Sequence, residues 1–584
     1  MHLFVTDDEA TFDANFSQQK LFIKNSNIHA SFGFDKKQIT NFNYSLNAIE
    51  NIAAEVMLKE LKEIALKAPV LKTNKYLATR KNKFDIAYSL LYPNFKLFVL
   101  NKNIFELLLH SFIKTFKIPS STSIEFNLSD ELQLFKPSLL LNEMQTSIVI
   151  RKTIKKDIIL HVIKNAYYAL TQLLHKFKFY KSVKSNTPHA LLFIYDTAND
   201  INLFKHFVER VAKQDKIKLS IIQISSGIAQ EYVFDVASLK FNTSIDIYYL
   251  KKFKAFVSAK NASFFNWAES INPDYTIFKD FGITQNLEIY YSFVAEAIKK
   301  IKPTITLYDN TGEVGRVVSD ISRQFKIPSV NIEYAQFTDD AIHMESNIKF
   351  SARACLGYAS AQLWKKRNDP TPVHVPIGFL KLDSLKNTIY DKAFFFTKHG
   401  LDISKATIFF ASTWSAINDI YNEEKAKIIE ELCEICKKND WNLIIKKHPS
   451  ERDRFANDAA KKTTYTRVKV FEHVEIDLYE AIFFCDIVTT QFSGVSIEAL
   501  YFKKPVLFIN MSNNNNWASL SIMKDEPYVF MYNDFILIEE KINKLLREKN
   551  SFTELMNMDI KKYLYSDDGQ ASERLIELIQ KTKE

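Results

Sequence analysis

The stretch from Asp486 to Asn510, DIVTTQFSGVSIEALYFKKPVLFIN, does most to restrict the fold of this chain. A short β-branched run (Asp486 to Thr490) enters a polar turn (Gln491 to Gly494), then helical spacing (Val495 to Phe502), then a second apolar strand-type run (Pro505 to Ile509). Strand, loop, helix and strand in that order build parallel sheets through right-handed crossovers, and open parallel sheets bind ligands at the carboxyl ends of their strands. That edge carries Thr489, Thr490, Gln491 and Ser493 just before a helix N-terminus, where hydroxyls and unpaired backbone N–H groups suit a phosphate. Glu498, on the first turns of the helix, is placed to accept hydrogen bonds from ribose hydroxyls. A plainer reading makes Ser493 an ordinary helix cap.

About forty residues upstream lies LIIKKHPSERD. Trp441 to Lys446 reads as a buried strand, and the chain then turns at Lys447, His448, Pro449 and Ser450. His448 therefore falls at the carboxyl end of a strand, and Lys446 and Lys447 beside it would favour a phosphate electrostatically.

The chain has 584 residues, 47% of them hydrophobic, with a formal charge of +9, which excludes a disordered chain and predicts about three folded units. Its four cysteines, Cys355, Cys433, Cys436 and Cys485, are too scattered for a disulfide framework, so a reducing compartment is expected. Cys433 and Cys436 form a CxxC inside a helical pattern with no second pair, which favours packing over zinc or redox use. The start, MHLFVTDDEATFD, lacks the basic and apolar regions of a signal peptide, and no run of eighteen apolar residues follows. A cytoplasmic protein, or one peripheral on the inner face of the membrane, is expected.

Residues 1–185 read as an accessory α/β or α+β region, with a strand at 96–101 and a helix at 103–117. Within it, Ile148 to Lys184 carries nine Lys or Arg against one Asp around an apolar, aromatic centre. That pattern predicts a basic amphipathic helix, either peripheral on an anionic membrane or packed between domains.

From His189 strands and helices alternate. Strands are expected at 190–196, 217–225, 304–310 and 329–336, with helices between them. Asp309, Asn310, Thr311 and Glu313 decorate one strand ending, and Glu333 and Gln336 the next. VHVPIGFLKLDSL (373–385) is a strand and turn ending near Asp383, and a linker is expected near 380–405. A second series follows, with ATIFFASTWS (406–415) ending in Ser412, Thr413 and Trp414 at the same edge as His448. The fold class is therefore α/β: a first Rossmann-like domain at 186–385 and a second at 386–584 that includes C-terminal helices. A nucleic-acid role is not indicated, because the basic residues do not alternate with aromatics on one sheet face.

Two tandem Rossmann-like domains, the second with K-x-H-P, S-x-x-x-x-E-A and K-P-V, resemble GT-B glycosyltransferases over about 190–545. The similar families are bacterial capsule and surface-polysaccharide enzymes: β-Kdo transferases, CDP-glycerol glycerophosphotransferases and HP-motif sialyltransferases. Glu333, Tyr334 and Ala335 stand where that clan often has Gln-His-Gly, and P-I-G-F-L-K-L-D echoes its T-G-x-P-x-x-D landmark.

The resemblance implies a nucleotide-sugar donor on the second domain, held by Ser412, Thr413, Lys447, His448, Pro449, Thr490, Gln491, Ser493, Gly494 and Glu498. It implies a glycan, glycolipid or glycoprotein acceptor on the first domain, and transfer with inversion and without a bound metal or other cofactor. Donors aimed at the leaving phosphate would stabilise the transition state. Asp309, Glu313 and Glu333 are the candidates for the base that deprotonates the acceptor hydroxyl. Asp309 and Glu313 also read as a turn residue and an N-terminal helix charge. A CMP-activated acidic sugar such as Kdo is the expected donor, with CDP-glycerol and UDP-sugars as alternatives. A nucleotide-sugar 2-epimerase and a sugar-nucleotide-binding scaffold are the rival classes.

Overall fold

A computed structural model describes residues 2–6, 19–24, 27–30, 46–67, 102–103, 105–107, 109, 123–129, 146–151, 187–195, 198–214, 216–224, 245–250, 283–309, 313–334, 348–413, 419–448, 451, 455–491, 493–509, 521–532 and 537–582. Three sheets follow one another along the chain.

The first has the order β3-β2-β1-β4-β5, from β1 (His2–Thr6), β2 (Gln19–Lys24), β3 (Asn27–Ala30), β4 (Ser123–Ser129) and β5 (Thr146–Arg151). Its pairs are parallel except β2 with β3. Helix α1 (Leu46–Lys67) belongs to the same region. The basic helix expected from Ile148 cannot begin there, because Ile148 to Arg151 are edge-strand residues paired with Phe126 to Ser129. The rest of that segment and the strand expected at 96–101 lie outside the described residues. The described residues between 102 and 109 are helical, in line with the helix expected from 103.

The second sheet is wholly parallel, in the order β12-β11-β10-β9-β6-β7-β8. Its strands are β6 (His189–Tyr195), β7 (Lys218–Ile224), β8 (Ile245–Leu250), β9 (Ile305–Tyr308), β10 (Ser329–Ile332), β11 (Ala352–Cys355) and β12 (His374–Pro376). HALLFIY and KLSIIQI are buried on both faces, as strands covered by helices on both sides must be. Helices α2 (Ala198–Lys213), α3 (Ile283–Ile301), α4 (Glu313–Gln324) and α5 (Tyr358–Lys366) lie between the strands in sequence. The order reverses between β6 and β9, so the topological switch point of this sheet lies just beyond their carboxyl ends.

A 3₁₀ helix (Leu380–Asn387) and α6 (Lys392–Lys398) occupy the expected linker. The third sheet, also parallel, has the order β15-β14-β13-β16-β17-β18. Its strands are β13 (Thr407–Ala411), β14 (Asn442–Lys446), β15 (Val468–Phe471), β16 (Ile487–Thr490), β17 (Val506–Ile509) and β18 (Val529–Tyr532). Helices α7 (Asp419–Asn439), α8 (Phe455–Ala460), α9 (Leu478–Phe484) and α10 (Val495–Tyr501) join them. Here the switch point falls between β13 and β16. Cys433 and Cys436 are buried on α7, and burial pushes the Cys433 thiol up to about 12, as a packing role requires.

Of the two last helices, α11 (Ile538–Leu564) packs on β16 and α10 of the third sheet's unit and also meets α5, whereas α12 (Ala571–Thr582) leaves that unit for the first. The amides of Ala571 and Ser572 donate to the buried Asp383 carboxylate at 2.9 and 2.7 Å, so the landmark aspartate of the linker caps α12. Glu573 then accepts from Arg210, Gln214 and Lys216 on or just after α2. Residues 571–582, assigned from sequence to the second Rossmann-like unit, thus pack on the first. Gly378, at φ +96°, permits the crossing: a Cβ there would lie 3.2 Å from both Arg574 Nη2 and the Leu564 carbonyl. Asp383→Ala should cost about 1–2 kcal/mol through the lost cap. Hydrogen exchange should accelerate across 571–582 while β13 and β14 stay protected.

Candidate functional site

The third sheet positions one half of the site at its switch point. Thr413, just after β13, donates to the Gln491 side chain just after β16 at 3.1 Å, and both are buried. Two neighbouring hydroxyls are committed elsewhere. Thr489 donates to the Phe409 carbonyl (3.1 Å) and Thr490 to the Ala411 carbonyl (2.8 Å), lashing β16 to β13. Thr490 was expected to contact the donor directly, but its hydroxyl proton holds the strands.

Beyond the turn, Gly494 is the N-cap residue of α10 and supplies no side-chain cap. Ser493 does not cap in the ordinary way: its Oγ accepts from Val495 N at 3.3 Å, and its carbonyl receives Ser496 N and Oγ. Among the described residues, a Cβ on Gly494 would meet nothing within 4 Å.

His448 follows β14 as expected and is half-buried. Its pKa is lowered to about 4, chiefly by burial and then by Lys425, His473 and Lys446, so at neutral pH the ring is uncharged and has one N–H to donate. The two lysines expected to supply positive field are differently engaged. Lys447 is ion-paired with Glu472 at 2.9 Å, and Lys446 donates to the His473 carbonyl. Ser412 donates to Glu451 at 2.5 Å, which also accepts from Lys425 Nζ (2.9 Å) and His448 N (3.2 Å). Pro449 and Trp414 lie outside the described residues.

The second sheet supplies the other half at its own switch point. Asp309, directly after β9, is buried, and its carboxylate oxygens accept from no N–H or alcohol among the described residues. Facing it is the carboxyl group of Asp200, in the first turn of α2 after β6. Burial and then the Asp200 carboxyl group push the Asp309 pKa well above the ordinary carboxylate range. Tyr334, at the place of the clan's histidine, lies close enough for both aspartates to raise its pKa further after burial has done so.

Lys381 lies within electrostatic reach of both halves. It sits on the interdomain 3₁₀ helix, and burial lowers its pKa while Glu498 from α10, Asp200 and Asp309 favour its charge. Glu498 is itself buried, with Oε2 unpartnered among the described residues. Burial raises its pKa, and Lys381 opposes the rise.

The remaining sequence candidates fall elsewhere. Glu333 is buried and accepts from Leu356 N (2.6 Å), Ser360 Oγ (2.8 Å) and Trp364 Nε1 (2.5 Å), so its carboxylate anchors α5 to the sheet. Glu313 opens α4, and its side chain lies outside the described residues, as do Asn310, Thr311 and Gln336. Sequence reasoning missed Asp200, Lys381, Glu451 and Lys425. The signals were slight: Asp200 lies soon after a strand ending, Lys381 sits inside the P-I-G-F-L-K-L-D landmark, and Glu451 comes three residues after His448.

Residues 360–581 match the family described as CDP-Glycerol:Poly(glycerophosphate) glycerophosphotransferase, one of the three families that the motifs resemble. Among solved structures, the chain is similar to a putative UDP-N-acetylglucosamine 2-epimerase from Listeria monocytogenes (12% identity, 67% of this chain and 95% of that chain, TM-score 0.47). It is also similar to a glycosyltransferase from Rickettsia africae (14% identity, 68% and 99%, TM-score 0.44). A third is the wall teichoic acid polymerase TagF (11% identity, 73% and 98%, TM-score 0.41). No curated protein sequence matches. The sheet topology and the family match define the class: an enzyme of the glycosyltransferase type with the GT-B arrangement of two Rossmann-like units. Among the described residues, no helix is long and apolar enough to cross a membrane.

Proposed function

We propose that this enzyme transfers a group from a cytidine-nucleotide-activated donor to a hydroxyl of a cell-envelope polymer or glycolipid. A CDP-glycerol-type donor ranks ahead of the CMP-activated acidic sugar first expected, because the family match covers the nucleotide-side unit and carries that description. The observation that carries the reading is that Lys381 lies within electrostatic reach of both switch points, with the buried Asp309 carboxyl group on one side and the unpartnered Oε2 of buried Glu498 on the other.

In this reading the nucleotide lies along Thr413, Gln491, Ser493 and Gly494, with Glu498 accepting from ribose hydroxyls and His448 donating its N–H to the phosphate. The acceptor hydroxyl lies against Asp309. Its oxygen forms a bond to the β-phosphorus of the donor, and the bond from that phosphorus to the bridging oxygen breaks. The bridging oxygen leaves on CMP with the electron pair, and the proton goes to the Asp200/Asp309 pair. Lys381 and the His448 N–H stabilise charge that grows on the phosphates as the transition state forms. A sugar donor would use the same groups, with attack at the anomeric carbon.

Calorimetry with CMP, CDP, UDP and GDP tests the reading. Cytidine nucleotides should bind most tightly, and Glu498→Ala should weaken them about tenfold, the equivalent of one hydrogen bond to a charged group. Binding of none of the four would overturn it. Interconversion of a UDP-sugar without an acceptor would point to an epimerase instead.

A further inference from the structure

The buried pair of Lys425 and Glu451 has no place in the chemistry above. Both side chains have 0% exposure and the ion pair measures 2.9 Å. A fully buried ion pair is poor as a source of stability, since desolvation of both charges offsets most of the attraction, while loss of one partner strands the other charge. Its geometry has a different use. One Glu451 oxygen takes Lys425 Nζ from α7, and the other takes Ser412 Oγ from the end of β13 and the backbone N–H of His448 from the end of β14. The amide of Glu451 returns to the His448 carbonyl at 2.9 Å. One carboxylate thus fastens three consecutive pieces of the third sheet's carboxyl edge.

We infer that Glu451 is the positioning residue of the donor wall: its carboxylate fixes the His448 turn against β13, and buried Lys425 holds that carboxylate in place. The inference rests on reading this edge as the nucleotide site. Ser412 then serves the donor through Glu451 rather than by touching it. Among the described residues, the charged or titratable groups facing His448 are Lys425 on α7, Lys446 on β14 and His473 after β15, with the Glu451 carboxylate on its backbone N–H.

Two double variants remove both charges, so neither strands a buried ion. Lys425→Met with Glu451→Gln keeps an acceptor for Ser412 and His448 N. Lys425→Met with Glu451→Ala removes it. The second should bind CDP at least about tenfold more weakly than the first. Histidine NMR, with the signal assigned by its loss in His448→Gln, supplies a readout that needs no nucleotide. In the Ala variant the released turn hydrates the ring and its titration midpoint rises toward the ordinary histidine value, while in the Gln variant it stays depressed. Ser412→Ala, which cuts one arm and leaves the ion pair, should move the midpoint in the same direction by less, and tests the inference even if the Ala variant does not fold. Equal His448 titration in the two double variants, or equal CDP affinity, overturns the inference. If the wild-type protein binds no nucleotide yet the titrations differ, the clamp stands and the donor-site reading falls.

Discussion

Asp309→Asn should lower transfer by about 10²–10⁴-fold, the range of a lost general base, while leaving cytidine-nucleotide affinity within about threefold of the wild type. The amide fills the same volume after β9 but cannot take the acceptor's proton. The pH dependence gives a second readout. Transfer requires an ionised Asp309, and burial followed by Asp200 holds its proton loss well above the ordinary carboxylate range, so activity should rise with pH through a value above that range. Asp200→Asn removes the neighbouring charge, so the rising limb should move to lower pH. Lys381, Tyr334 and Tyr308, titrating neighbours among the described residues, remain in that variant.

Stability should change in the opposite sense to activity. A carboxyl whose pKa is raised by folding favours the native state at low pH, and that contribution is lost as pH rises through the folded value. Asp309→Asn avoids the loss, so above the raised value its thermal midpoint should exceed that of the wild type. Unchanged turnover in Asp309→Asn would remove Asp309 from the chemistry. Lost turnover with a lower midpoint throughout the pH range would assign it to folding instead.

Gly357→Ala should destabilise the protein by about 3 kcal/mol, at the upper end for overpacking a filled interior. Gly357 is the extended N-cap residue of α5, and a Cβ there would lie 2.5 Å from the Lys562 carbonyl oxygen and the Tyr563 carbonyl carbon in the last turn of α11. Backbone atoms cannot rotate aside as a flexible side chain can, so α5 must lift from α11. That contact seats the first Rossmann-like unit on a helix arriving from the second, and the effect should appear as an earlier first transition in calorimetry. Because the atoms nearest a Gly357 Cβ belong to Lys562 and Tyr563 and not to the residues proposed to line the nucleotide, CDP affinity below that transition should hold. A midpoint equal to the wild type's would show that the seat can shift without cost.

The parts of the fold legible in the sequence were those where one local signal sufficed. ALLFIYD, TITLYDN, ATIFFAS and WNLIIK are apolar runs closed by polar turns, and each contains a strand buried across the sheet. Strand β11 was missed because it reads ARAC. Its Arg353 is buried only through remote partners, with Asp369 at 2.9 Å and the Trp364 ring 3.6 Å from its guanidinium carbon. Strand β15 was missed because VKVF is only half-buried at the sheet edge.

The site divided in the same way. Thr413, Gln491, His448 and Ser493 follow strands, so their shared edge could be inferred from periodicity alone. Asp200, Lys381 and Glu451 could not, because a charged residue in a first turn or linker ordinarily faces water. Their placement depends on which strands and units become neighbours in the fold. Glu472 neutralises Lys447 from twenty-five residues away, which no local pattern signals.

The crossing of α12 onto α2 also bears on biosynthesis. The chain leaves the ribosome with its second sheet already made and its third still to come, yet one face of α2 waits for a helix that ends at Thr582. The first Rossmann-like unit is therefore begun before the second and completed after it, and until then the face of α2 that α12 covers is exposed to aggregation or chaperone capture.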